Sequence, residues 1–233
     1  MKHHKKLLFW LLSYPIGLFL FIFLLILDKL GKIKIIGQEN IRNRRGLIIA
    51  SNHPSLWEPI VMYYLFMPEL FYKPWITPLS MVDKINYGQN YLWLAFWPLF
   101  ISIDRRSGKA VGAYKNAEKH LLDKGNLIVF PEGGRTSSGD QRTLIRYYNG
   151  QYLKPLQAGV CSLAHKTKSL VVPVWVDGSD KVLPRGKRFP RFWKKMTISI
   201  GKPYKVSSDI EKAKKRLSSR ILDLYNKINP EYQ

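Results

Sequence analysis

The stretch SNHPSLWEP, residues 51–59, places a histidine and a glutamate where they could do acid–base chemistry. Imidazole is the usual general base near neutral pH. The apolar run before His53 predicts a strand, and α/β folds place their sites at strand ends. Five residues advance a helix by about 500°, so both side chains cannot share one helical face. They can meet if His53 lies in the loop and Glu58 in the first helical turn, where the carboxylate would orient the imidazole and stabilise its charged form.

The same residues also fit the start of a helix. Ser55-Leu56-Trp57-Glu58 matches the S-x-x-E capping box, in which the glutamate reaches back to the backbone of the serine. The two roles are compatible, because a capped helix start fixes the glutamate. The motif alone leaves acid–base catalysis and capping both open.

The chain offers no obvious nucleophile of its own. A Ser–His–Glu hydrolase would need a serine in a G-x-S-x-G turn, and the sequence has none. The single cysteine, Cys161, lies in the apolar stretch VCSLAH and is predicted to be a core residue. One cysteine also excludes an internal disulfide and a C-x-x-C metal or redox site. We therefore expect His53 to activate a hydroxyl that belongs to a substrate.

Two further segments could bind a phosphate. In FISIDR, Asp104 and Arg105 end a predicted strand, where an arginine could grip a phosphate; the alternative is an exposed turn of charges. In IVFPEGGR, Gly133 lets the backbone approach an anion and Arg135 offers a bidentate fork. Glu132 could accept a hydrogen bond from a substrate hydroxyl or hold Arg135. The alternative is a loop with a solvated salt bridge, and the phosphate-binding interpretation is favoured over it.

The elements that must position these groups alternate along the chain. Strands are predicted within residues 32–41, 47–50, 100–104, 126–130, 170–176 and 196–201, and helices from residue 59 and at 109–124, 156–165 and 208–228. Ser208 is the predicted N-cap of the last helix. Pro173 inside VVPVWV suggests a strand end or edge, and this strand could line an acyl pocket or the core. The pattern predicts an α/β fold with a mostly parallel central sheet flanked by helices.

Taken together, four blocks of the sequence resemble the membrane-bound glycerophospholipid acyltransferases typified by 1-acylglycerol-3-phosphate (lysophosphatidic acid) acyltransferase. That family has N-H-x4-D, F-x-x-R or I-D-R, F-P-E-G-x-R and V-P-V blocks in this order. Here they are NHPSLWE, FISIDR, FPEGGR and VVPVWV, and the match spans residues 47–184. The resemblance implies an O-acyltransferase of phospholipid biosynthesis, in which His53 is the general base on an acceptor hydroxyl that attacks the acyl thioester of CoA or acyl carrier protein.

The resemblance also implies roles for the other motif residues. Substrate binding is assigned to Asn52, Arg105, Glu132, Gly133 and Arg135, with the two arginines and the glutamate on the phosphate and glycerol of the acceptor. The resemblance also implies a reaction without a metal, a cofactor or a covalent acyl-enzyme. Glu58 stands where the family usually has aspartate, and lipid A-type acyltransferases often carry glutamate there.

The acceptor that the resemblance implies is 1-acyl-sn-glycerol 3-phosphate, whose acylation gives phosphatidate. Two alternatives stay open. One is the same chemistry on another lysolipid, a glycolipid or a lipid A precursor. The other is a non-catalytic basic protein that binds membranes.

Residues 7–27 form a run of 21 residues without a charge, and about 20 suffice to span a bilayer. A secretory signal peptide would usually have a shorter apolar region and a small-x-small cleavage site. Pro15 and Gly17 permit a kinked span or a hairpin of two short helices, and lysines on both flanks favour the hairpin. We predict a membrane-embedded anchor over residues 1–35 and an acyltransferase domain over residues 36–233.

The charge of the chain favours anionic partners: 38 Lys and Arg against 16 Asp and Glu give a net charge of +22. Residues 181–196 carry seven basic residues, no acidic one and three aromatic rings, which suits an anionic bilayer surface. A solvated loop is the alternative. Single-stranded nucleic acid would also suit this segment but does not explain residues 7–27. We predict anionic membrane lipids as partners, no nucleic acid, and a catalytic domain on the cytoplasmic face of the cell (inner) membrane.

Overall fold

The computed structural model describes part of the chain. Its described residues are 3–67, 77–83, 99–103, 110–136, 145–146, 152–187 and 189–229, with the backbone alone at 3–14, 145–146 and 152. Asp104 and Arg105 lie outside the described residues.

The described strands and helices include each strand and helix that the sequence predicts. The strands are β1 (Ile33–Ile36), β2 (Leu47–Ser51), β3 (Leu79–Asp83), β4 (Phe100–Ile103), β5 (Leu127–Val129), β6 (Ile145–Arg146), β7 (Tyr152–Leu153), β8 (Leu170–Asp177) and β9 (Met196–Ile200). The α-helices are α1 (His3–Lys29), α2 (Glu58–Tyr64), α3 (Ala110–Leu122), α4 (Gly159–Thr167), α5 (Ser179–Val182) and α6 (Ile210–Ile228).

Seven of these strands form one sheet in the order β1-β9-β8-β2-β5-β3-β4. Every neighbouring pair in it is parallel except β8 and β9, which are antiparallel. The short strands β6 and β7 pair with each other separately. The prediction of an α/β fold with a mostly parallel central sheet is confirmed.

Strand β2 shows why the sheet is central. All five of its residues are buried, and successive side chains point to opposite faces. Ile48 and Ala50 join a core cluster with α3, α4 and α6. Leu47 and Ile49 join a second cluster with α1 and α2. A parallel sheet covered on both faces needs such an unbroken apolar run, which is the signal that predicted this strand.

Pro173 does not lie at a strand end or edge, and that interpretation was wrong. It lies inside β8, between β2 and β9. Its carbonyl accepts from the N–H of Gly201, just past the end of β9. A Cβ on Gly201 would lie 2.7 Å from Cγ of Pro173, so the glycine makes room for the proline ring. Because both faces of β8 are buried in the two core clusters, the strand packs in the core.

The N-terminus of α6 also differs from the prediction. Asp209, not Ser208, is the N-cap, and its Oδ1 accepts from the N–H of Lys212 at 3.1 Å. Both are good capping residues, and the aspartate lies in the extended backbone conformation that a cap requires. The sequence did not predict β3, the β6–β7 pair or α5.

The N-terminal segment is one continuous helix with Pro15 inside it. Within the described part of the chain, no helix is both long and apolar enough to cross a membrane, and the predicted membrane-embedded segment is not supported. The C-terminal half of α1 packs on α2: the hydroxyl of Tyr64 donates to Asp28 at 2.9 Å, and Phe21 lies beside the same tyrosine.

Candidate active site

The candidate site lies where three neighbouring parallel strands end. Strands β8, β2 and β5 are adjacent in the sheet, and their carboxyl ends meet at one edge. The loop after β2 carries His53, the loop after β5 carries Glu132, and the turn after β8 carries Ser179. This is the edge at which parallel α/β sheets place their ligands.

The predicted contact between His53 and Glu58 forms. Nδ1 of the imidazole lies 2.9 Å from Oε2 of the carboxylate, and both side chains are buried. His53 lies in the loop and Glu58 opens α2, which is the geometry that the five-residue spacing requires. An ionised carboxylate can only accept a hydrogen bond, so opposite that form Nδ1 donates and Nε2 is the nitrogen that can take a proton.

The same glutamate caps the turn before α2. Its Oε1 accepts from the N–H of Ser55 at 2.8 Å and from the hydroxyl of Ser179. The Ser55 hydroxyl accepts from the N–H of Trp57, and Trp57 rather than Ser55 is the N-cap of α2, so only the glutamate half of the predicted S-x-x-E box forms. Capping and contact with His53 therefore coexist, one on each carboxylate oxygen of Glu58.

The loop that carries His53 is fixed by the FPEGGR loop. The N–H of His53 donates to Oε1 of Glu132 at 2.9 Å, and its carbonyl accepts from the N–H of Thr136 at 2.7 Å. The imidazole stacks on Phe130, with ring centroids 4.2 Å apart. Backbone and ring are thus both held by residues that follow β5.

Glu132 is a buried acceptor for three donors. Oε1 also accepts from the hydroxyl of Thr136 at 2.7 Å, and Oε2 accepts from the N–H of Lys154 at 3.0 Å. Burial raises the pKa of the Glu132 carboxyl, and its hydrogen bonds from Thr136, Lys154 and His53 oppose that rise. The sequence suggested a substrate hydroxyl or Arg135 as its partner. The described contacts show that it ties the loop of His53 to its own loop and to Lys154, just past the end of β7.

Asn52 is bonded on both sides by the backbone of β8. Its Nδ2 donates to the carbonyl of Val176 at 2.9 Å, and its Oδ1 accepts from the N–H of the same residue at 2.7 Å. The side chain is buried, so it extends the pairing of β2 with β8 by one step. These contacts position the loop of His53. The predicted contact of Asn52 with substrate stays a prediction.

Basic groups surround the outer side of this loop cluster. Gly133 has a φ of 72°, and Arg135 is half-buried beside it. Burial lowers the pKa of Lys154, and the charges of Arg185 and Arg135 lower it further, while Glu132 opposes them. Arg135 and Arg185 therefore each lie within electrostatic range of Lys154. Lys154 and Arg185 were not predicted, because only the fold brings them to the FPEGGR loop.

Cys161 takes no part in the site. It is buried in the core cluster on α4, and burial raises the pKa of its thiol to about 11. The prediction of a core cysteine is confirmed. Among the described residues, no three His, Cys, Asp or Glu side chains are grouped so that they could hold a metal ion.

A cavity of about 680 Å³ lies away from these groups. It is lined by the C-terminal end of α4 and the start of α6, including His165, Lys168 and Ser208. These residues lie near the amino end of β8, whereas His53 and Ser179 lie near the carboxyl ends of their strands. None of the four motifs contributes to its lining.

A match to a protein family gives the class to which the chain belongs. The model of the acyltransferase family matches residues 32–177, more than half of the chain, and the chain belongs to this family. The matched range holds His53, Glu58, Glu132 and Arg135.

Two known proteins are similar to this chain. The 1-acyl-sn-glycerol-3-phosphate acyltransferase of Borreliella burgdorferi is 25% identical over 148 residues, which cover 61% of this chain and 50% of that protein. The chain thus matches about half the length of that relative. The crystal structure of the 1-acyl-sn-glycerophosphate (LPA) acyltransferase PlsC from Thermotoga maritima is similar with a TM-score of 0.65 and 20% identity. The match covers 97% of this chain and 83% of that one, and it shows a shared fold.

Proposed function

We propose that this chain transfers an acyl group from acyl-CoA or acyl carrier protein to the hydroxyl of 1-acyl-sn-glycerol 3-phosphate, giving phosphatidate. The observation that carries the proposal is the buried contact of 2.9 Å between Nδ1 of His53 and Oε2 of Glu58. Membership of the acyltransferase family supports the reaction type. The Borreliella burgdorferi relative is a 1-acyl-sn-glycerol-3-phosphate acyltransferase, which favours this acceptor.

In the proposed reaction, Nε2 of His53 takes the proton of the acceptor hydroxyl. The oxygen attacks the thioester carbonyl, a C–O bond forms and the C–S bond breaks. The thiolate leaves and takes the proton back from the imidazolium, so atoms and charge balance. Glu58 stabilises the imidazolium between these steps, as the carboxylate does in a Ser–His–Asp triad. The acyl thioester is a substrate, and the proposed reaction needs no cofactor or metal.

The phosphate of the acceptor is proposed to bind beside the FPEGGR loop. Arg135, Lys154 and Arg185 concentrate positive charge there, and arginine forms bidentate hydrogen bonds with phosphate. The left-handed backbone at Gly133 allows close approach to that loop. Arg105 stays a further proposed phosphate ligand from the sequence.

We also propose that the chain works on an anionic membrane surface, at the cytoplasmic face of the cell membrane. The side chains of Phe189 and Trp193 are 84% and 65% exposed within the basic segment 181–196. Phe192 of this segment packs edge-on against Phe23 of α1 and also contacts Trp57 of the His53 motif. Interfacial aromatic rings among basic residues suit contact with anionic headgroups.

The test of the function is acyl transfer in detergent by wild type and by His53→Ala. Labelled acyl-CoA and acyl carrier protein are offered with a panel of lysolipids, a glycolipid and a lipid A precursor. Histidine-dependent formation of phosphatidate supports the proposal. Transfer to another acceptor alone would replace the substrate, and a folded protein that transfers to no acceptor would favour a non-catalytic membrane-binding protein.

A further inference from the structure

Ser179 reaches the catalytic pair from a distant part of the sequence. It opens the short helix α5, directly after Gly178, which has a φ of 75°. Its side chain is fully buried, and its hydroxyl donates to Oε1 of Glu58. The contact exists because β8 and β2 are parallel neighbours, so the residues after them meet at one edge of the sheet.

The carboxylate of Glu58 needs donors on both oxygens. It is fully buried, and burying a charge is costly unless hydrogen bonds satisfy it. The N–H of Ser55 and the hydroxyl of Ser179 both bind Oε1, which leaves Oε2 for Nδ1 of His53. Together the two serines fix the orientation in which the carboxylate faces the imidazole.

These hydrogen bonds matter more because residue 58 is a glutamate. A glutamate has one more rotatable bond than the aspartate usual at this position in the resembled family, so more conformations must be excluded. The backbone N–H of Ser55 fixes one end of the carboxylate from its own loop. A donor from a second element, α5, restrains the remaining rotation.

We propose that Ser179 is a positioning residue, which holds the Glu58 carboxylate so that it orients His53. This inference rests on the proposed function. It assigns to the turn after β8 a role in the rate of acyl transfer, beyond its place in the core.

The experiment compares Ser179→Ala and Ser179→Thr with a matched control, Ser169→Ala. Ser169 directly precedes β8, is also buried, and accepts one hydrogen bond from Thr167, but it lies at the other end of the strand. Ser179→Ala is expected to lower kcat about tenfold, the loss of one hydrogen bond to a charged group. KM for both substrates should change less than about twofold, and Ser179→Thr should recover most of kcat. Ser169→Ala should keep the wild-type kcat.

A double variant separates positioning from general damage. In a Glu58→Gln background, Ser179→Ala should lower kcat no further, because both changes act through one contact. Equal losses in Ser179→Ala and Ser169→Ala, or additive losses in the double variant, would overturn the proposal. A threonine variant as slow as the alanine variant, with its thermal unfolding unchanged, would overturn it as well.

A spectroscopic readout keeps the inference testable if the proposed function fails. The Nδ1–H proton of His53, assigned by its loss in His53→Ala, is followed by NMR of histidine-labelled protein. Ser179→Ala should shift or broaden this signal, and Ser169→Ala should leave it in place. An unchanged signal in Ser179→Ala would contradict the positioning role whether or not acyl transfer is observed.

Discussion

Replacing Glu58 by glutamine exchanges a carboxylate for an amide of the same shape. The carboxylate accepts on both oxygens, from Ser55 and Ser179 on one and from His53 on the other. The amide has one oxygen acceptor and one NH₂ donor. The backbone N–H of Ser55 cannot reverse its direction, so the amide oxygen is expected to stay on that side.

The NH₂ group of the glutamine then faces Nδ1 of His53. That contact forms a hydrogen bond only if Nδ1 is unprotonated, which moves the imidazole proton to Nε2. The base is then blocked at the nitrogen that must take the proton. An aspartate-to-asparagine change that causes the same tautomer switch in a Ser–His–Asp triad costs about 10⁴-fold in kcat. We expect a loss of about 10³- to 10⁴-fold here, or roughly 4 to 5.5 kcal/mol.

The fold should survive Glu58→Gln, because each hydrogen bond has a counterpart in this arrangement. The free energy of unfolding should change by about 1 kcal/mol or less. The assay is the steady-state rate of acyl transfer, with thermal unfolding beside it and Glu118→Gln as the control. Glu118 pairs with Lys166 on the surface, where an ion pair contributes little. Activity within about threefold of wild type would refute the catalytic role of the His53–Glu58 pair. Unfolding of the variant would show that Glu58 acts mainly by stabilising the turn before α2.

Three other variants test separate contacts. Arg135→Ala should raise KM for the acceptor more than KM for the thioester in steady-state kinetics; the reverse would assign the arginine to the donor. Asn52→Asp places an acceptor against the carbonyl of Val176 and should lower the free energy of unfolding, measured with denaturant, by about 2 kcal/mol. An unchanged free energy of unfolding would show that the hydrogen bonds of Asn52 to Val176 do not stabilise the fold. Gly201→Ala should cost about 1 to 3 kcal/mol by overpacking, and adding Pro173→Ala should recover part of it; no recovery would contradict the close approach of the two residues.

The sequence predicted the features that depend on local pattern. The apolar run of β2 predicted a buried strand, and the five-residue spacing predicted how His53 could meet Glu58. The sequence could not separate the capping box from the His–Glu contact. In the structure one oxygen of Glu58 accepts from the N–H of Ser55 and the other faces His53, while the serine half of the box does not form. The acyltransferase blocks predicted the family.

The features that the sequence did not predict depend on how segments meet in the fold. Ser179 lies 121 residues from Glu58, and only the parallel pairing of β8 with β2 brings them together. Lys154 follows β7, outside the seven-stranded sheet, and its N–H reaches Glu132 only in the folded chain. The sequence predicted a strand end or edge for Pro173, because the rule for proline in strands considers one strand alone. The space for its ring comes from Gly201 on the neighbouring segment. Ser208 and Asp209 are adjacent capping candidates, and backbone conformation decides between them.

The central claim is that a histidine-dependent acyl transfer takes place at the end of β2. The most direct measurement is the initial rate of phosphatidate formation from 1-acyl-sn-glycerol 3-phosphate and acyl thioester, for wild type, His53→Ala and His165→Ala. His165 is the matched control, because it lies on α4 and lines the cavity away from the site. We predict that the rate falls by at least about 10³-fold in His53→Ala and is unchanged in His165→Ala. A folded His53→Ala protein that forms phosphatidate at a rate comparable to wild type would contradict it.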